Sequence, residues 1–130
     1  MVRATVGFLA VVAGFGPAYA QMPFGVPPPA APLEPAALFR NQCGTCHATE
    51  PGAAPRQGPN LAGIYLRPAG KRPDFKYSEG FAREDFIWDN ARLDAWLTNP
   101  QAMIPGTIMV YRQAKPETRR IIIAWLKEQH

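Results

Sequence analysis

Both cysteines of this 130-residue chain, and one of its two histidines, fall within five residues: Cys43-Gly44-Thr45-Cys46-His47. A cysteine pair with this spacing supports four chemistries, each with different demands elsewhere in the sequence. A structural zinc needs four ligands, and the remaining histidine, His130, is the last residue. A thioredoxin-like redox pair needs a βαβ setting, which the sequence pattern does not provide. A disulfide across two intervening residues closes a tiny loop and constrains the unfolded chain little. Covalent haem attachment fits the spacing geometrically, because two thiols three positions apart reach the two vinyl groups on one edge of a haem. The histidine that follows is then carried beneath the iron as its proximal ligand. C-x-x-C-H is the recognised form of that arrangement.

The elements that position this run are helices joined by long irregular loops. Residues 34–43, EPAALFRNQC, predict a short amphipathic helix with Pro35 in its first turn, where a missing backbone donor does no harm. In DNARLDAWLTNP, residues 89–100, Leu93, Trp96 and Leu97 fall at i, i+3 and i+4. Asp89 caps the start of this second helix and Pro100 ends it. PETRRIIIAWLKEQ, residues 116–129, repeats the pattern with Ile122, Trp125 and Leu126, with Glu117 in the first turn and Lys127 in the last. No strand-length alternation competes. Residues 47–84 and 99–115 are rich in Gly and Pro and read as loops, and loops of that length inside a compact domain need something to organise them.

Upstream of this domain, residues 1–20 read as a secretory signal peptide. Arg3 precedes an apolar core from Val6 to Phe15, and Ala18-Tyr19-Ala20 supplies a small-x-small site for cleavage before Gln21. That core is shorter than the ~20 residues of a membrane-spanning helix. Residues 21–33 are a proline-rich linker favouring extended backbone, and 34–130 are the globular domain. Removing Arg3 with the signal lowers the formal charge from +4 to +3, and no basic stripe with interleaved aromatics appears, so nucleic acid is not an expected partner. The mature chain is expected to have no stable membrane insertion.

Beyond the pentapeptide, the chain from about Phe39 to Lys127 resembles a class I cytochrome c, of the mitochondrial and related bacterial soluble type. GPNLAGIYLRPAG resembles the segment after the haem histidine, FKYSEGF and FIWDN the loop beside the propionates, and WLTNPQAMIPGTIMVY the Asn-Pro…Ile-Pro-Gly-Thr-x-Met segment. IIIAWLK resembles the C-terminal helix. The resemblance implies an all-α cytochrome c fold, a few short helices and long loops wrapped around one covalent haem c. It implies thioethers at Cys43 and Cys46, and His47 and Met109 as the iron ligands. Met103 falls at a position where the family does not ligate. The carbonyl of Pro59 would accept the second ring N–H of His47. Arg67, Tyr77 and Trp88 match residues that hydrogen-bond a buried propionate, and Thr107 would bond the other one. Departures are equally specific: Trp96 stands where the family usually has a tyrosine near the methionine sulfur, Phe81 where it often has an asparagine, and Pro35 where it has a glycine. Phe39 and Trp125 keep the aromatic pairing between terminal helices.

The function implied is one-electron transfer rather than enzymatic turnover, by a monomer exported to the periplasm. Its partners would be redox proteins such as a quinol-oxidising complex, a terminal oxidase or a periplasmic dehydrogenase. Two alternatives stand beside it: a haem protein with a labile sixth ligand acting as peroxidase or gas sensor, and a dedicated cytochrome subunit of a periplasmic oxidoreductase. Mitochondrial relatives ring the haem edge with lysines, and several of those positions here read Gln101, Ala102 and Ile108. Docking is therefore expected to rely on a small apolar patch rather than on charge.

Overall fold

The structure, a computed structural model, describes residues 31–130. The expected signal peptide (1–20) and residues 21–30 of the linker lie outside the described residues. Residues 31–34 are exposed and non-helical.

Five helices follow: α1 Pro35–Gln42, α2 Glu79–Ala82, α3 Asn90–Thr98, α4 Pro100–Met103 and α5 Pro116–Lys127. Among the described residues there is no strand, only an isolated antiparallel bridge between Pro68 and Ile87. The three longer helices are those the apolar periodicity predicts. Pro35 and Pro116 each sit at a helix start, where the absent N–H would have had no intrahelical partner. The Asp89 carboxylate accepts the Arg92 backbone N–H at 2.8 Å and so caps α3.

Two short helices, α2 and α4, correct the reading of 47–84 and 99–115 as continuous loop. Each has four residues, too short for a periodic apolar face. Pro100 does follow the end of α3, but it also opens α4, whose cap is Asn99 accepting the Ala102 N–H at 3.3 Å. One residue therefore follows one helix and opens the next, with Asn99 extended between them.

Packing places α5 against both α1 and α3, and α3 against α4. Phe39 of α1 stacks on Trp125 of α5 with ring centroids 4.1 Å apart and planes 24° from parallel. Phe39 is buried and Trp125 half-buried, and an aromatic pair of this kind adds ~0.5–1.5 kcal/mol beyond the area it removes from water. Ile122, fully buried, and Leu126 lie one turn apart on α5 and complete its inner face. No helix among the described residues is long and apolar enough to cross a membrane.

One buried cation ties the α3–α5 corner together. Arg119 is 9% exposed. Its guanidinium meets Asp94 of α3 at 2.7 Å and donates to the carbonyls of Gln113 and Ala114 at 2.9 and 3.1 Å. Asp94 is nearly half exposed, so water screens the ion pair. The greater loss on removing Arg119 comes from two carbonyls left without their donors. Arg119→Ala is expected to lower stability by about 2–3 kcal/mol in denaturant unfolding of the holoprotein. Arg120→Ala breaks only an exposed pair with Glu117 and should cost under ~0.5 kcal/mol. Equal effects of the two would contradict this assignment.

Candidate haem-binding site

The site begins at the C-terminal end of α1. The Cys43 N–H donates to the Phe39 carbonyl at 2.7 Å, and the His47 N–H donates back to the Cys43 carbonyl at 2.9 Å. This helical spacing carries on past the formal end of α1 and keeps Cys43 and His47 on one side of the turn. Neither cysteine is in a disulfide. Burial, with Cys46 beside it, pushes the Cys43 thiol up to about 12, so its sulfur is neutral rather than a redox-active thiolate.

His47 is held from two directions. Its Nδ1 lies 2.8 Å from the Pro59 carbonyl oxygen. A carbonyl only accepts, so Nδ1 carries the proton. Burial lowers the imidazole pKa, and the bond to Pro59 only partly opposes that shift. The ring is therefore neutral and Nε2 keeps a free lone pair, the form that ligates a metal. On the ring's face lies Gly58, where an added Cβ would sit 2.2 Å from His47 Cε1. Only glycine allows that approach. The Gly58 N–H also donates to the Cys46 carbonyl at 2.8 Å, which locks the 57–59 segment to the cysteine turn.

Cys43, Cys46, His47, Pro59 and Met109 line one cavity of about 440 Å³, within the ~300–1,000 Å³ typical of ligand sites. Its remaining walls are largely apolar. A second depression of about 700 Å³ also reaches His47, but it is an open groove edged by charged side chains such as Arg40, Glu50, Arg56 and Glu128. Its walls, edged by those charges, do not suit a flat apolar group.

An aromatic cluster builds the far wall of the apolar cavity. Trp96 meets Phe81 edge-on at 5.2 Å and Trp88 at 5.5 Å, and Tyr77 meets Phe81 at 5.2 Å. Trp88 is set by backbone pairing: its N–H donates to the Arg67 carbonyl and its carbonyl accepts from Leu66. Thr107 is buried on the same cavity, and Met109 is half-buried there. Met103 does not line it.

Arg67 sits differently from the other expected residues. It is absent from the cavity lining, because its guanidinium donates to the carbonyls of Ala62 at 2.7 Å and Asn60 at 3.2 Å. It still lies close enough to the Tyr77 phenol to oppose the upward shift that burial gives that group. Sequence reasoning missed Ser78, whose hydroxyl is buried on the cavity wall with no hydrogen-bond partner among the described residues. The one available signal was its place directly after Tyr77. Asn60, fully buried, was also missed: its side chain donates to the carbonyls of Glu50 and Ala53 and accepts the Ala62 N–H. It organises the 50–62 loop from within.

These residues fit a covalently held haem. The walls are apolar, a neutral imidazole and a thioether share them, two thiols sit at one side, and the orphaned Ser78 hydroxyl offers a bond to a carboxylate substituent. Gly58→Ala should force the His47 ring off Pro59. The expected cost is about 1–3 kcal/mol in holoprotein stability, read from thermal unfolding by visible absorption. An unchanged midpoint would contradict the close ring contact.

Comparison with known proteins gives the family. A family model described as "Cytochrome c" matches residues 34–130. The chain is 39% identical over 104 residues to a cytochrome c of Theileria annulata, covering 79% of this chain and 90% of that one. It is 42% identical over 90 residues to a cytochrome c2 of Rhodomicrobium vannielii, covering 68% and 72%. With a cytochrome c of Sesamum indicum it shares 40% identity over 92 residues, covering 70% and 83%. On the family match, this identity and the all-helical fold, the chain belongs to the class I cytochrome c family, whose members carry one covalent haem c.

Proposed function

We propose that this chain is an exported monohaem electron carrier of the periplasm, with haem c joined through Cys43 and Cys46 and its iron ligated by His47 and Met109. The observation that carries this reading is that both thiols, the neutral imidazole and the Met109 side chain line one apolar cavity. When bound, the haem supplies a one-electron couple at its iron. The protein would contribute burial, orientation and the two iron ligands, His47 and Met109. Thioether ligation by Met109 would raise the potential of a His-ligated couple.

Around that centre, Pro59 fixes the tautomer and plane of His47. Tyr77, Ser78, Trp88 and Thr107 bring hydroxyl and indole donors to the cavity wall for the propionates. Arg67 supports them from behind, holding the 60–62 turn and placing a cation near Tyr77. Trp96, with Phe81, makes the methionine side of the cavity more apolar than a tyrosine would. Export rests on the leader pattern of residues 1–20. Redox proteins are the partners, and a quinol-oxidising complex, a terminal oxidase or a periplasmic dehydrogenase fits the compartment. Oxidised protein should show the weak red-end sulfur-to-iron absorption band. Met109→Ala should abolish it and Met103→Ala should leave it, and the reverse pattern would move the ligand to Met103.

The cavity mouth supports docking by apolar contact. Ile108 and Val110, on either side of Met109, are 71% and 81% exposed, and Ala102 is exposed as well. No charge lies among them, so a partner would be held by excluding water from a small patch. Lys71, Lys76 and Arg112 are exposed cations outside this patch, and steering by any charge farther from it than the Debye length of ~8 Å at physiological salt is screened. Electron exchange with the native partner should therefore fall only shallowly with added salt, and Ile108→Lys should steepen that dependence. A wild-type rate that collapses in modest salt, with Ile108→Ala silent, would mean that docking is electrostatic.

A further inference from the structure

The segment that carries Met109 is fastened on both sides by uncharged side chains. On one side Gln101 of α4 donates its amide to the carbonyls of Thr107 and Met109, the latter at 3.4 Å. On the other side three side chains close a ring. The Tyr111 hydroxyl donates to Gln42 Oε1, while Gln113 Nε2 donates to Gln42 Oε1 at 3.0 Å and to the Tyr111 oxygen at 3.1 Å. Gln113 Oε1 accepts the Lys115 N–H at 3.1 Å, which settles which end of that amide is the donor. The Gln113 backbone N–H is in turn anchored on the Leu97 carbonyl of α3 at 2.8 Å.

The position of this ring gives it its meaning. Gln42 is the last residue of α1 and directly precedes Cys43. Gln42 and Tyr111 both line the apolar cavity, and all three side chains are half-buried. The ring therefore joins the end of the chain that bears the cysteines to the segment that bears Met109, across 69 residues of sequence. Its donors and acceptors are matched and none carries charge, so salt screening does not weaken it.

We infer that Gln42, Tyr111 and Gln113 form a clasp that holds Met109 in the cavity and sets how readily the sixth position opens to other ligands. The inference rests on Met109 as the sixth ligand. Tyr111 and Gln42 are positioning residues: they act on the Met109 segment through hydrogen bonds. Withdrawal of Met109 from the cavity requires its segment to move away from the end of α1, and that movement breaks the ring. Removing one member makes the withdrawn state more accessible by roughly the net worth of the bond lost.

The test is titration of the oxidised holoprotein with imidazole, followed by loss of the sulfur-to-iron band. Tyr111→Phe and Gln42→Ala should each raise imidazole affinity about tenfold, equivalent to ~1.4 kcal/mol. The double variant should exceed the larger single effect only slightly, because both changes break the same ring. Ile123→Ala, in α5 and off the cavity wall, controls for general destabilisation and should leave the affinity within about twofold. Unchanged affinity in both clasp variants, or an equal rise in Ile123→Ala, would overturn the clasp. A wild-type protein with no sulfur-to-iron band would instead overturn Met109 as ligand, and the clasp's role with it.

Discussion

The turn that continues α1 is the constraint on which the rest of the structure depends. Within five residues it must bring two thiols and one imidazole to the same cavity wall, and the His47 N–H bond to the Cys43 carbonyl holds that geometry. Each neighbouring feature serves the turn. Phe39 receives the Cys43 and Gly44 N–H groups on its carbonyl while its ring stacks on Trp125. Gly58 leaves room for the imidazole, and Pro59 bonds it. The terminal-helix contact and the site are thus one mechanical unit, in which a shift of α5 would be felt at His47.

The long loops are ordered by buried and half-buried polar side chains rather than by regular ladders. Asn60 gathers three backbone groups of the 50–62 loop, Arg67 gathers two carbonyls of the same region, and Arg119 gathers two more before α5. Backbone groups out of water need partners, and here single side chains supply them several at a time. This lets the described residues surround an apolar cavity without a sheet.

Much of this was legible in the sequence where a strong local rule applied. α1, α3 and α5 follow from apolar spacing, from Asp89 as a cap and from Pro35 in the first turn of α1. The cysteine turn follows from C-x-x-C-H, whose spacing has a single economical chemical use in an all-helical chain. α2 and α4 escaped because one turn of helix has no period to detect. Ser78 escaped because a lone serine in a loop carries no signal of burial. The placement of Arg67 behind the wall, and the meeting of Gln42 with Tyr111 and Gln113, are decided by tertiary packing between residues far apart in sequence. Nothing local encodes them.

Extraction of the denatured holoprotein with acid acetone, followed by haem staining of the polypeptide on a denaturing gel, tests the central claim most directly. The account predicts that haem stays with the wild-type chain and that the Cys43→Ala, Cys46→Ala double variant leaves no stained band. Haem that washes out of the wild type would contradict covalent attachment at this turn, and with it the role assigned to every residue around the cavity.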